Sequence, residues 1–303
     1  MTIDIIGPEA EALLSWDGLT TAIEAGHRLP RAEIADIFLY RGKDTLLSRA
    51  AWIDGLGQLV KTCTIFPGNA EAGLPTINGT VTLYADQGGL PEALIDFHLV
   101  TKWKTAGDSL LAAKRLARRD SREIVIVGAG NVSRAMIAAY SSLFHDARFT
   151  VWNRSPDKAR AMEGPRVQAT EDLEAAVRKA DIVCTATMSH DPVVKGAWLK
   201  PGTHLDLIGA FRPDMREVDD EALRRATIFV DSRATTIGHI GEIRDPIARG
   251  VISEADIRAD YYDIRSGAHV RSSDDEITIS KNGGGAHLDL MTAAYVAAMW
   301  RMR

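Results

Sequence analysis

The run Gly128-Ala129-Gly130-Asn131-Val132-Ser133 has the residue types and spacing to bind a pyrophosphate. Gly128 allows a tight turn and Gly130 lets the backbone approach a diphosphate. Asn131 and Val132 then open a helix whose first N–H groups have no intrahelical acceptor. Ser133 occupies the third fingerprint position, where a small residue still lets helix and strand pack closely. A glycine turn alone is a weak signal, and its setting makes it specific. The β-branched run Ile124-Val125-Ile126-Val127 precedes it. Met136, Ala139, Tyr140 and Leu143 follow at helical spacing, and Phe149–Trp152 reads as the next strand. This is the strand–turn–helix–strand order that a dinucleotide site requires.

The end of that second strand bears on which dinucleotide. An NAD site carries an Asp or Glu there, about 20 residues beyond the glycines, to accept from the ribose hydroxyls. Here the chain reads Trp152-Asn153-Arg154-Ser155, without a carboxylate. Arg154 offers a planar fork of donors to a 2′-phosphate, and Asn153 and Ser155 add neutral hydrogen-bonding groups. Ser155 can equally cap the helix that Pro156 begins. NADP(H) is the expected cofactor, with NAD(H) as the alternative.

Two lysines upstream stand in settings that suit an anionic substrate. Lys61 closes Leu59-Val60-Lys61 and leads into Thr62-Cys63-Thr64-Ile65-Phe66, an apolar context in which a solvent-facing cation is awkward. Lys104, in Thr101-Lys102-Trp103-Lys104-Thr105, stands where the pattern predicts a helix to begin, over Thr105–Arg118. Cations oppose the macrodipole at such a position, and a substrate carboxylate would account for them. Arg49 is a weaker candidate for the same anion. Each of these cations could instead be an ordinary surface charge. No metal centre is expected: the eight histidines show no HxH or HExxH spacing, and neither Cys63 nor Cys184 has a ligand nearby in sequence. A GxSxG elbow is absent too. Hydride chemistry needs neither, because a nicotinamide supplies the reducing equivalent while the protein orients substrate and moves a proton.

The elements that must carry these residues suggest an α/β protein in two parts. A chain of 303 residues with 46% apolar and 25% charged residues suits two globular domains. Residues 1–117 read as mixed α/β, with strand-rich stretches at Thr45–Val60 and Gly79–Ala85 around a loop at Phe66–Asn78. Residues 118–286 alternate strand and helix, which predicts a Rossmann-type parallel sheet. Within it Pro156–Glu163 reads as helix, and Thr170 as the cap of a helix over Glu171–Lys179. Further strands are read at Asp181–Thr187, Thr203–Ile208, Thr227–Asp231 and Glu276–Ser280. The segment 287–303 is helical and is expected to pack back on the first domain. A net charge of −5 gives no reason to expect nucleic acid. The N-terminal MTIDIIGPEAEALLSW lacks a signal-peptide pattern, no apolar run reaches membrane-span length, and the cysteines lie in apolar runs, so a cytoplasmic protein is expected.

Several motifs in order resemble the ornithine cyclodeaminase/mu-crystallin family: LVK at 59–61, FPGN at 66–69, INGTVTLYADQGGLPEALID at 77–96 and TKWKTAGDS at 101–109. VGAG at 127–130, VWNRS at 151–155, ADIVCTAT at 180–187, IGAFRPDMREVD at 208–219 and Gly241-Glu242 continue the series. The resemblance implies a homodimer, with a Rossmann domain and an α/β domain that binds substrate and forms the dimer interface. It also implies that Lys61 faces the substrate carboxylate and the nicotinamide and serves as the catalytic residue. Thr185, Ala186, Thr187 and Gly209 would join the cofactor site, and Lys104, Phe211 and Arg49 the substrate site. Two departures matter. The family's TxxRTA motif has arginine where this chain has Lys104, so a point charge replaces a bidentate fork. Cyclodeaminase and alanine dehydrogenase members carry an aspartate where this chain has Phe211, and that carboxylate is implicated in handling the substrate amine and water. Mu-crystallin and imine-reductase members lack it, as here. The resemblance therefore implies an NADPH-dependent oxidoreductase that converts a cyclic ketimine carboxylate, Δ1-pyrroline-2-carboxylate or Δ1-piperideine-2-carboxylate, to proline or pipecolate. Lys61 or a water would protonate the nitrogen, and Phe211 would wall the ring. The alternatives are reduction of a linear 2-imino acid such as iminosuccinate, with Lys102 as partner of a second carboxylate; ornithine cyclodeamination; and ligand carriage without turnover.

Overall fold

A computed structural model describes residues 2–303. Contacts divide the chain into two units, one built from residues up to Lys104 together with Gly285–Arg303, the other from Thr105–Gly284.

The first unit contains β1 (Asp4–Ile6), α1 (Trp16–Gly26), β2 (Glu33–Arg41), β3 (Asp44–Ile53), β4 (Gly57–Ile65), β5 (Ile77–Tyr84) and β6 (Pro91–Asp96), followed by the opening turns of α2 (Phe97–Leu116). Its sheet runs β1-β6-β5-β4-β3-β2, antiparallel throughout except where β1 joins β6. Alternation decides which side chains are covered. In β4 Leu59, Lys61 and Cys63 are buried while their neighbours are only half-covered, so the period of two puts Lys61 on the inward face. β2 is the open edge of this sheet, and every one of its residues is exposed.

The second unit is a doubly wound α/β sheet. In chain order it has β7 (Glu123–Val127), α3 (Asn131–Leu143), β8 (Arg148–Trp152), α4 (Pro156–Arg160), β9 (Val167–Thr170), α5 (Leu173–Lys179), β10 (Ile182–Thr185) and β11 (His204–Leu207). Then come α6 (Asp220–Arg225), β12 (Thr227–Val230), α7 (Arg233–Thr236), α8 (Gly241–Ala248), β13 (Ile257–Ala259) and β14 (Thr278–Lys281). All pairings are parallel, in the order β13-β12-β14-β11-β10-β7-β8-β9. Fully buried Ile126, Val127, Val183, Leu205 and Leu207 give the continuous apolar strands of a sheet covered on both faces. The winding reverses between β7 and β10, and open α/β sheets bind ligands beyond the carboxyl ends of the strands at such a point. The chain closes with α9 (Ala286–Arg301), which packs on α1, β3 and β4 of the first unit.

Three local expectations change. The helix expected from Thr105 begins at Phe97, because the Asp96 carboxylate accepts the Leu99 N–H at 2.7 Å and caps it directly after β6. Asp172 rather than Thr170 caps α5, accepting from Ala175 N at 2.9 Å, since Thr170 is still paired in β9. The helix after Pro156 stops at Arg160 instead of running to Glu163. Among the described residues no helix is long and apolar enough to cross a membrane.

Candidate active site

In the first unit a row of charge crosses the sheet. Asp36 on β2 stands opposite Arg49 on β3, and Arg49 opposite Lys61 on β4. Arg49 donates to Asp36 from Nε (3.2 Å) and Nη2 (2.6 Å). Lys61 is 6% exposed. Its Nζ donates to Thr101 Oγ1 and to Asp289 Oδ1, both at 2.8 Å, and lies 4.6 Å from the centre of the Phe97 ring. Asp289, on α9, is fully buried, and its second oxygen lies 3.8 Å from Arg49 Nη1. Burial pushes the Lys61 ammonium below the usual lysine value. Asp289 pulls it back, while Lys104 and Arg49 push the same way as burial. Burial opposes ionisation of Asp289, yet Lys61, Lys104 and Arg49 together hold its carboxyl below the ordinary aspartate value.

Lys104 lies two turns inside α2, three residues after Thr101 and on the same helix face. The helix dipole thus does not account for it; its proximity to Lys61, Asp289 and His287 does. Lys102 Nζ pairs with Glu11 at 2.5 Å, so a second substrate carboxylate would share it with that glutamate. Arg49 retains donors beyond the two committed to Asp36.

In the second unit Gly128 ends β7 with φ +120°, and a Cβ there would stand 2.5 Å from the Ala186 carbonyl oxygen. Gly130 faces open space, and no side chain caps α3, so the N–H groups at Asn131 and Val132 are left for an anion. Ser133 is buried beneath the turn. At the end of β8, Asn153 Nδ2 donates to Ser155 O at 3.0 Å, and Arg154 is exposed with no side-chain partner among the described residues. Thr185 is buried as the last residue of β10, and Ala186 and Thr187 follow it beyond the strand's carboxyl end. Phe211, 58% exposed, follows β11 in the segment that begins at Gly209. These residues fit a nicotinamide dinucleotide: an open glycine turn, an uncapped helix start and a free guanidinium at the strand end.

Residues not chosen as site residues hold these loops. Glu217 accepts from Thr187 N (2.8 Å), Thr187 Oγ1 (2.7 Å), Gly209 N (2.8 Å) and Ala210 N (3.0 Å). A side chain at Gly209 would strike Glu217 and Thr187. Glu242 accepts from Glu217 N, and burial followed by the Glu217 charge lifts its carboxyl to about 7. Lys281, wholly buried, donates to the carbonyls of Leu207, Ala210 and Asn282. Asp289 carried a signal of its own, an acid inside the apolar helical stretch AHLDLMTAAYV. Glu217 lay within the motif at 208–219 without being chosen as a site residue, and Lys281 carried no signal, since a Lys ending a strand reads as surface charge.

The sequence profile of the ornithine cyclodeaminase/mu-crystallin family matches residues 54–303. A Δ1-pyrroline-2-carboxylate reductase of Paracoccus denitrificans is 50% identical over 297 residues, covering 95% of this chain and 94% of that protein. Among solved structures, Thermococcus litoralis Δ1-pyrroline-2-carboxylate reductase in complex with NADH and L-proline superposes with a TM-score of 0.89 at 27% identity, covering 99% of this chain and 98% of that one. An archaeal alanine dehydrogenase dimer with bound NAD gives a TM-score of 0.88 at 30% identity, covering 100% and 97%.

Proposed function

The chain belongs to the ornithine cyclodeaminase/mu-crystallin family and is an oxidoreductase of C=N bonds, and from that premise we propose that it reduces a cyclic ketimine carboxylate, Δ1-pyrroline-2-carboxylate or its six-membered homologue, with NADPH. The observation that carries this reading is a surplus of one positive charge. Arg49, Lys61 and Lys104 converge on a region where Asp36 and Asp289 supply two carboxylates, which suits a substrate bearing one carboxylate.

A nicotinamide dinucleotide held at the Gly128–Val132 turn supplies the hydride when bound. Lys104 and Arg49 attract the substrate carboxylate, Lys104 as a point charge and Arg49 through its uncommitted donors. Lys61 protonates the ring nitrogen. The C=N carbon gains hydrogen, the π pair moves to nitrogen, and the N–H of Lys61 breaks as the new ring N–H forms. A second proton from solvent completes the zwitterionic product and another restores Lys61. Phe211 has no group that could take a proton from an amine or activate a water, which disfavours cyclodeamination. Arg154 supports preference for the 2′-phosphorylated cofactor. The likeness to an alanine dehydrogenase supports a second reading, a linear 2-imino acid reduced by the same groups.

We also propose a homodimer through β2. Its unpaired N–H and C=O groups and its exposed Ile37, Phe38, Leu39 and Tyr40 form a long apolar edge of the kind that seeks a partner strand.

The deciding experiment measures NADPH and NADH oxidation with Δ1-pyrroline-2-carboxylate beside ammonia release from ornithine and NAD+. Rapid NADPH consumption with proline formed is expected. Ammonia from ornithine would overturn the role given to Phe211, and turnover only with a linear imino acid would favour the second reading.

A further inference from the structure

Lys61 Nζ rests in a seat made of two acceptors. The Thr101 hydroxyl donates its own hydrogen to Phe97 O at 2.7 Å, so its oxygen can only accept from Lys61. Asp289 Oδ1 takes a second N–H. An ammonium has three donors, so one is left. Lysine, threonine and aspartate come from β4, α2 and α9, each held by its own backbone hydrogen bonds. The other Asp289 oxygen is buried without a hydrogen bond. A buried acceptor left unsatisfied is costly, and simple packing of α9 on the sheet would be served better by an apolar residue. The charged and titratable groups facing this carboxylate are Lys61 on β4, Lys104 on α2, Arg49 on β3, Cys63 on β4 and His287 on α9.

We propose that Asp289 is a positioning residue for the reduction: with Thr101 it fixes two of the three Lys61 donors, so that the remaining N–H is the one offered to the substrate nitrogen. The identity of that nitrogen rests on the ketimine-reductase reading; the seat itself does not.

The consequence is a specific pH signature. Lys61 must be charged to give a proton, so turnover falls as pH rises through its titration. The Asp289 charge favours the ammonium, and Asp289→Asn removes it while keeping the shape. The alkaline limb of kcat should move to lower pH by about 1–3 units, the range for loss of an opposite charge at this distance. Acetylation of Lys61 by acetic anhydride in the ligand-free full chain, read by peptide mass spectrometry, should shift its midpoint by the same amount. Asp289→Glu should keep both midpoints near the native ones with reduced kcat. A limb and a labelling midpoint that stay in place in Asp289→Asn would overturn the proposal, as would identical behaviour of the Asn and Glu variants. If Asp289→Asn does not fold, Thr101→Val decides. Removal of the neutral acceptor should lower kcat about tenfold or more with the limb unmoved, and unchanged kcat would overturn the seat. A shifted labelling midpoint in a protein that turns over no cyclic ketimine would support the seat and reject the substrate reading.

Discussion

Replacing Arg154 by alanine tests how the end of β8 selects its cofactor. The guanidinium is exposed and has no side-chain partner among the described residues, while the nearest acid of α4, Asp157, is paired with Arg160 at 2.6 Å, an arginine it shares with Glu171. Asp157 is thus committed to Arg160 rather than to Arg154, which leaves the Arg154 guanidinium open to an incoming phosphate. Hydrogen bonds to charged groups are worth about 1.5–3 kcal/mol, and solvent screening at an exposed site takes roughly half of that. About 0.75–1.5 kcal/mol remains, a factor of roughly 3–13. The loss should fall on NADPH alone, because NADH presents no 2′-phosphate to Arg154. Steady-state kcat/KM for the two cofactors, at saturating imine, reads the ratio directly. Arg154→Ala should lower it about 3–13-fold with the NADH value within about twofold of native, and Arg154→Asp should lower it further. A ratio unchanged in both variants, or a native enzyme that prefers NADH, would refute the assignment.

Other outcomes follow from the same structure. Lys61→Ala should abolish turnover while nicotinamide binding, measured by fluorescence titration, persists; near-native activity would remove Lys61 from the chemistry. Leu39→Glu places a charge on the open edge at a residue that is 59% exposed in the single chain. Loss of about 1.5–3 kcal/mol from each of two symmetric copies should weaken a dimer roughly 10²–10⁴-fold in sedimentation at micromolar protein. A native chain that sediments as a monomer would sink the dimer. Burial holds His27 at about 4 and His204 and His287 at about 3, all below the free value of 6.5. Their folded-state values are depressed, so their stabilisation is complete above 6.5 and lost as pH falls below it. Each should cost about 1.4 kcal/mol at a pH one unit below 6.5. His287→Asn should therefore lose less Tm than native between pH 7.5 and 5.5, and parallel curves would contradict the buried neutral imidazole.

The dinucleotide fold was readable because its signals are local. Gly128 and Gly130, the β-branched run before them and the helical pattern after them all lie within some twenty residues. The first unit was harder. β2 escaped notice because EIADIFLYR is exposed on both faces and shows no alternation. The start of α2 was masked because Asp96 caps it with no intervening loop. Lys61 stood out through its apolar neighbours, and Asp289 offered a hint as an acid in an apolar helix, but their pairing was not legible, since 228 residues separate them and only tertiary structure joins them. The roles of Glu217 and Lys281 were hidden for the same reason: their importance lies in the backbone groups they engage, and no spacing in sequence encodes those.

That separation has a consequence for how the protein is made. The second unit is a continuous stretch, whereas the first is assembled from two stretches that flank it. As the chain is synthesised, domains fold in order of their appearance. The β2–β6 strands must therefore wait, with Lys61 and Arg49 lacking the Asp289 counter-charge and the sheet lacking α9, until the final residues emerge. A nascent chain stopped before Ala286 holds every strand of the second unit but lacks both the helix and the Asp289 carboxylate that complete the first. Synthesis through α9 brings in the Asp289 carboxylate and lowers the excess positive charge around Arg49, Lys61 and Lys104 to the single surplus that a substrate carboxylate can meet.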